Sequence, residues 1–251
     1  MEDLKQRVIN TPQDFHDAVR STWNRICLFR GEQRADWDLI PRVGRYQRIN
    51  SKNTVSSEQA MLDEFKRRAV PYLNQFPATD WEWLALAQHH GLSTRLLDWT
   101  YNPLVAAFFA TQDVTTPNAV IYVIDGYSLG HPPEDTDPFA IAAPVIYDPR
   151  HSNARFVAQQ GAFTVHHNPT ETFKEKSVER WLITGDAIID LLSVVHLYGI
   201  TPATIFPDLG GLCSDIARQY IWAVTEAIPL HPVLRSCEIT PRRVRELDGR
   251  Q

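Results

Sequence analysis

Apolar and polar positions along this chain follow two different periods, and the points where the period changes mark its elements. Residues 11 to 23 carry a helical pattern, with Thr11 as N-cap and Pro12 at the first helical position, where a missing N–H is harmless. The β-friendly run ICLFR follows and predicts a strand that ends at Arg30. From Ser56, Met61, Phe65, Ala69, Tyr72 and Phe76 recur at helical spacing, with Ser56 and Gln59 as a capping box and Pro71 ending or kinking the helix. Thr79 and Glu82 form a second capping box before DWEWLALAQHH, and Gly91 suits the position just past that helix. His89 and His90 then fall in its last turn. TRLLDWT (94–100) reads as a short strand, and YNPLVAAFFA as a buried helix opened by Pro103.

The second half begins with AVIYVID (119–125), APVIYDP (143–149) and RFVAQQGAFTVHH (155–167). All three read as strands, the last with a bulge at Gly161, and the segment GHPPEDTDP reads as a loop. Three helices are predicted after that: TETFKEKSVERWLI, DAIIDLLSVVHLYG with Asp186 as cap and Gly199 as stop, and LGGLCSDIARQYIWAV. The class is α+β, a single domain over residues 1–251 with a mixed or antiparallel central sheet flanked by helices.

Composition narrows the choice of chemistry. With 251 residues, 43% of them hydrophobic, the chain can bury a substantial core. A net charge of −5 argues against a wholly basic nucleic-acid or membrane binder, so any site for a polyanion is local. Cys27, Cys213 and Cys237 are scattered, without metal-ligand spacing, and read as reduced, mostly packed thiols. The opening MEDLKQRVIN has no apolar leader, and no apolar run reaches the roughly 20 residues that span a bilayer. A soluble, cytoplasmic protein is the expectation.

Three segments place polar residues at strand ends between apolar runs. In the first, Arg30 offers a planar, permanently charged fork for phosphate, pyrophosphate or carboxylate, and Gly31 lets a ligand approach the backbone. The alternative is a surface ion pair from Arg30 to Glu32 or Asp36. In AQHHGLSTRLLDWT, alternation puts Thr94, Leu96 and Asp98 on one face and Arg95, Leu97 and Trp99 on the other. The alternative there is a buried structural pair joining Asp98 to Arg30 or Arg95. His89 and His90 are adjacent and poorly spaced to share a metal, and no metal site is assigned. In the third segment, Gln159 and Gln160 beside Gly161 offer amides but no general base; the alternative is a solvent-facing pair.

The segments FRGE, LALAQHHGLSTRLLDWTYNPLVAAFFA, NARFVAQQGAFTVHH and YGITPATIFPDLGGLCSDI resemble, in that order, the motif blocks of the FRG domain of bacteria and phages, from about Ile26 to Trp222. A more distant resemblance is to ADP-ribosyltransferases of the Arg-Ser-Glu type. It implies a related α+β fold with NAD as substrate. Arg30 matches the arginine of their first strand. LLDWTYNPLVAAFFA is similar to their second element, with Ala106, Phe109 and Ala110 at the helix positions and Thr100 at the polar strand end. AQQG stands in the third place, with Gln159 or Gln160 nearest the glutamate. The chain has no Ser-Thr-Ser, and no Glu-x-Glu or Gln-x-Glu follows its third element, so Asp98 or Glu171 is left to substitute.

The catalytic set implied is Arg30, Asp98, Thr100 and Gln160, and the NAD-binding set Arg30, Gly31, His89, His90, Thr94 and Arg95. The function implied is transfer of ADP-ribose to a protein or nucleic acid, in a toxin-like or antiphage role. Two alternatives stand beside it. One is a non-catalytic nucleotide- or nucleic-acid-binding module of the same family, with Arg34, Arg42, Arg45, Arg48 and Lys52 as a phosphate-contacting patch. The other is a metal-dependent nuclease using His89, His90, Asp98, His166 and His167.

Overall fold

A computed structural model of the chain describes residues 5–47, 54–132, 136–149 and 154–225. In chain order the elements are β1 (Lys5–Ile9), α1 (Pro12–Arg20), β2 (Cys27–Glu32), α2 (Arg42–Gln47), α3 (Thr54–Ala69), α4 (Asp80–His89), β3 (Leu96–Thr100), α5 (Pro103–Ala110), β4 (Asn118–Asp125), β5 (Val145–Tyr147), α6 (Ala154–Gln159), β6 (Gly161–Val165), β7 (Glu179–Thr184), α7 (Gly185–Leu197), α8 (Pro202–Ile205) and α9 (Leu209–Thr225).

The strands form one seven-stranded mixed sheet in the order β1-β7-β4-β2-β3-β6-β5. Among the described residues only β1 and β7 pair in parallel; every other neighbouring pair is antiparallel. The α+β class with a mixed sheet is therefore the observed one. Central β4 is buried along six consecutive residues, Ala119 to Ile124, as a strand covered on both faces must be. On one face, α1, α5 and α7 supply Phe15, Val105, Phe108, Ile188 and Leu191 to a core shared with Phe29, Ile121 and Trp181. On the β3-β6 half, α3 and α4 pack Leu62, Trp81 and Leu84 against Leu96, Phe163 and Val165. On the opposite face the segments around Leu39 and Phe173 close over Leu28, Leu97, Trp99 and Tyr122.

Local signals acted as expected at several ends. Thr11 caps α1 by accepting from the Asp14 N–H at 3.2 Å, while the Asp14 carboxylate accepts from Thr11 N–H at 3.0 Å. After α4, Gly91 (φ +89°) donates to Gln88 O at 3.0 Å and Leu92 N donates to Ala87 O at 2.9 Å, the paired closure of a Schellman motif. Gly199 (φ +80°) ends α7 in the same way.

Other expectations are corrected. Strand β2 does not stop at Arg30 but continues through Glu32, because β4 pairs with it as far as Glu32↔Val120. Helix α3 starts at Thr54, which leaves Ser56 inside the helix and not at its cap. ARFVAQ is the helix α6 and not a strand; its Phe156 is buried against Phe163, and β6 begins at Gly161 without a bulge. ERWLIT is strand β7 and not the end of a helix. Its period-two burial puts Trp181 and Ile183 in the core, a signal hidden in the sequence by the charged residues before it. The N-terminal KQRVI pairs with β7 as an edge strand, which its three polar residues disguised. Thr184, not Asp186, is the N-cap residue of α7. Cys27 is buried but Cys213 is exposed; Cys237, Arg48 and Lys52 lie outside the described residues. Among the described residues no helix is long and apolar enough to cross a membrane.

Candidate functional site

The middle of the sheet is where the site forms, because β2 and β3 are joined there by a single register pair, Phe29↔Thr100. From that point the two strands diverge: Arg30, Gly31 and Glu32 pair with β4 on one side, and Leu96 to Trp99 pair with β6 on the other. Backbone N–H and C=O groups along the diverging edges lose their ladder partners, and side chains have to satisfy what stays buried. Arg30 does so by reaching across the gap. Its Nη1 donates to the Asp98 main-chain oxygen at 2.6 Å, and its Nε and Nη2 donate to Glu32 Oε1 at 2.9 and 2.5 Å. Arg30 thereby stitches together a sheet that backbone pairing leaves open.

A cleft of about 1040 Å³ follows this opening, large enough for a dinucleotide-sized ligand. Its charged lining is Arg30, Arg42, Arg45 and Arg155 with Glu32 and Asp98, and its apolar wall includes Phe109, Phe156 and Phe163. Arg30 and Glu32 are largely shielded, with side-chain exposures of 13% and 8%, while Asp98 is 60% exposed. Burial works against the Arg30 charge, but the carboxylates of Glu32 and Asp98 outweigh it and hold its pKa above the ordinary value. Asp98 Oδ2 accepts from Gln88 Nε2 at 3.0 Å and lies 3.6 Å from Arg30 Nη1. Gln88 is itself fixed by Thr94 Oγ1, which donates to its Oε1 at 2.8 Å. Thr100 Oγ1 donates to Gln159 O at 2.6 Å and accepts from Asn102 N–H at 3.0 Å, holding α6 against the closed end of the gap.

His89 lies against Phe156 at 5.2 Å between ring centroids. Burial, with help from the neighbouring Arg155 charge, lowers its pKa to about 4, so it stands neutral near pH 7. Burial also lowers the pKa of Arg45 and of Arg155, against the opposing pull of nearby carboxylates.

The cleft therefore brings together Arg30, Gly31, His89, His90, Asp98 and Thr100. It does not gather the whole predicted set. Arg95 is fully buried away from it, with Nε and Nη2 donating to Glu58 Oε2 at 3.0 and 2.9 Å and its guanidinium 4.5 Å from the Phe139 ring centre. It is a structural pair, with Glu58 as partner in place of Asp98. Thr94 is buried and outside the lining; its Oγ1 donates to Gln88 and accepts from Leu96 N–H at 3.2 Å, and both of those residues line the cleft. Gln160 is exposed, in a left-handed turn at φ +45°, and the neighbouring Gln159 lines the cleft in its place. Glu171 accepts from Asn168 Nδ2 at 2.7 Å, outside the cleft lining.

Gly31 lines the cleft and also packs closely against α5. A Cβ there would meet Ala106 O at 1.9 Å and Ala110 N at 2.7 Å, so α5 sits directly on the β2 backbone. This ties Gly31 to the small residues Ala106 and Ala110. His166, which the nuclease alternative needs, is buried; its Nε2 lies 2.9 Å from Thr164 Oγ1, which accepts from Trp99 Nε1 at 2.9 Å. Among the described residues no group of three or more His, Cys, Asp or Glu is placed to hold a metal.

Sequence reasoning treated Glu32 only as a surface partner of Arg30, although two residues apart on a strand share a face and the pair is shielded. RFVAQQGAFTVHH suits a strand, and nothing in the order of Arg155 and Gln159 announces the helix that turns them toward β3. Trp37 and Tyr46, which also line the cleft, carried no signal beyond lying near arginines.

Residues 25–119 match the family model of the FRG domain. The match holds the first two motif blocks, with Arg30, Glu32 and Asp98, and stops before α6 and β6. No curated protein and no solved structure matches the chain significantly.

Proposed function

We propose, with the FRG domain at residues 25–119 as premise, that the cleft between β2 and β3 binds NAD and transfers its ADP-ribose to a protein or nucleic-acid acceptor. The observation that carries this reading is Arg30 standing across the open part of the sheet beside Arg42, Arg45 and Arg155. Among the described residues, four arginines against two carboxylates give the lining a surplus of positive charge inside a chain that is negative overall. Of the five N–H donors of Arg30, Glu32 and Asp98 O take three and Asp98 Oδ2 lies 3.6 Å from Nη1, which leaves one N–H on Nη2 for a phosphate oxygen. The phenylalanine wall suits a flat ring, and Phe156, Gln159 and His89 sit where a leaving nicotinamide can be held.

In the reaction the bond from ribose C1′ to the nicotinamide nitrogen breaks with its electron pair going to nicotinamide. A bond from C1′ to the acceptor forms, and the acceptor loses a proton. Positive charge builds on the ribose in the transition state, and a fixed carboxylate lowers its energy. Asp98 is the carboxylate exposed to a ligand, oriented by Gln88; Glu32 is engaged by Arg30. Consumption of NAD in this way suits a toxin-like or antiphage effector. The second reading, a nucleotide-binding module without turnover, is favoured by the tie between each cleft carboxylate and a neighbour, and by the missing Glu-x-Glu.

Calorimetry with NAD and chromatographic detection of nicotinamide, alone and with protein or nucleic-acid acceptors, tests both. Asp98→Asn keeps Arg30 in place. Under the transferase reading it binds NAD about as well as wild type and loses nicotinamide release about a hundredfold, the scale seen for removal of one transition-state contact. Arg30→Ala weakens NAD binding by about tenfold or more. Binding without release in wild type selects the binding module. No NAD binding and no release with any acceptor refutes the nucleotide cleft.

A further inference from the structure

We infer that the outer rim of the cleft, built from Trp37, Arg42, Arg45 and Tyr46, is a binding surface for single-stranded nucleic acid. The inference rests on the proposed transferase reading in one respect: it selects nucleic acid as the acceptor presented to the cleft.

Trp37 and Tyr46 are 39% and 55% exposed and line the same cleft as Arg30. Large aromatic rings in that position leave apolar faces in water unless something flat covers them. Each has an arginine over its ring. The Arg45 guanidinium lies 6.0 Å from the Trp37 ring centre, and that of Arg42 lies 6.0 Å from the Tyr46 ring centre. An aromatic face for a base and a guanidinium for the adjoining phosphate form one nucleotide-sized unit, and here the unit occurs twice. A repeated unit suits successive nucleotides of a strand better than one free nucleotide.

The rim is also held in shape before any ligand arrives. Tyr122 Oη, from the central strand, donates to Trp37 O at 3.2 Å, and Phe173 N donates to Leu39 O at 2.7 Å. Arg45 Nε donates to Ile40 O at 2.9 Å, and Arg42 Nη1 to Gly91 O at 3.3 Å. Each keeps N–H donors in reserve for phosphate. Arg34 is nearby, 6.0 Å from the Trp37 ring, but both arms of its fork are occupied by Asp36, so it adds little charge. Glu32, the acid 3.8 Å from Arg45, is shielded and engaged by Arg30. The rim thus offers positive charge outward.

Fluorescence anisotropy with labelled single-stranded DNA and RNA oligonucleotides of mixed sequence, a duplex and AMP tests this on the full chain. Single strands are expected to bind, duplex and AMP much more weakly. Trp37→Ala and Tyr46→Ala each weaken strand binding about tenfold, and Trp37→Phe keeps most of it. Arg42→Ala and Arg45→Ala each lower the slope of log affinity against log salt by about 0.7. Thermal melting of each variant separates loss of binding from loss of fold. Wild type that does not bind single strands, or binding unchanged in Trp37→Ala and Tyr46→Ala, overturns the inference. NAD binding is measured on the same samples. NAD bound without strand binding removes the rim and leaves the cleft reading, and strand binding without NAD does the reverse.

Discussion

Replacing Gly31 with alanine separates two uses of glycine in the cleft wall. If the residue is there to let α5 lie on β2, the added Cβ has nowhere to go. Its nearest neighbour is Ala106 O at 1.9 Å, against an ordinary contact of 3.4 Å or more, so α5 must retreat by about 1.5 Å. Both atoms in closest conflict, Ala106 O and Ala110 N, are backbone, and no rotamer change relieves them. Helix α5 also carries Val105, Ala107 and Phe108 into the main core, so the retreat loosens those contacts too. Overpacking of a filled core costs ~1–3 kcal/mol, and a backbone collision belongs at or above the upper end. Taking about 3 kcal/mol from a total stability of roughly 5–15 kcal/mol is severe, and for a chain of this size it lowers Tm by roughly 6–12 °C. Urea unfolding with a parallel thermal melt measures it. An alanine variant within about 0.5 kcal/mol of wild type, with ligand binding lost, would refute the packing argument and restore Gly31 as a point of ligand approach.

Two further outcomes follow from buried polar groups. Arg95→Ala leaves the Glu58 carboxylate buried without its partner and is expected to destabilise the fold by ~3–5 kcal/mol, whereas the double variant Glu58→Leu/Arg95→Met recovers most of that in urea unfolding. A double variant no more stable than Arg95→Ala would argue against the ion-pair account. His166 is buried, and burial, helped by the His167, Arg30 and Arg95 charges, lowers its pKa from the ordinary 6.5 to about 3. The folded state therefore binds its proton less readily than the unfolded state. The contribution of neutral His166 is complete above pH 6.5 and is lost as pH falls from 6.5 toward about 3, with a slope of up to about 1.4 kcal/mol per pH unit. His89 and His196 act in the same sense, so the readout is the difference between wild type and His166→Asn. Parallel stability curves for the two proteins over that range would contradict the assignment.

Much of the architecture is legible in the sequence. Thr11, Pro12, Thr79, Gly91, Pro103 and Gly199 marked helix ends by rules that involve only a few neighbouring residues, and the β4 run announced a central strand by its apolar continuity. The misread elements are those in which local pattern and tertiary environment disagree. Strand β1 is an edge whose outer positions stay polar, and β7 follows a charged segment that blurs its period of two. Helix α6 is only six residues long, and its sequence FVAQ suits a strand equally well until Phe156 finds its place under α4.

The sequence alone determined the α+β class, the order of most elements and the resemblance of FRGE and TRLLDWT to a known family, because each depends on residues close together in the chain. Which of those residues share one cleft was decided by tertiary structure. A single register pair between β2 and β3 opens the sheet and sends Arg30 across it to Asp98, while Arg95, three residues before Asp98, turns away to Glu58. Strand pairing and the burial of charge are long-range events. The partner that satisfies a guanidinium is chosen by the fold, and proximity along the chain does not reveal it.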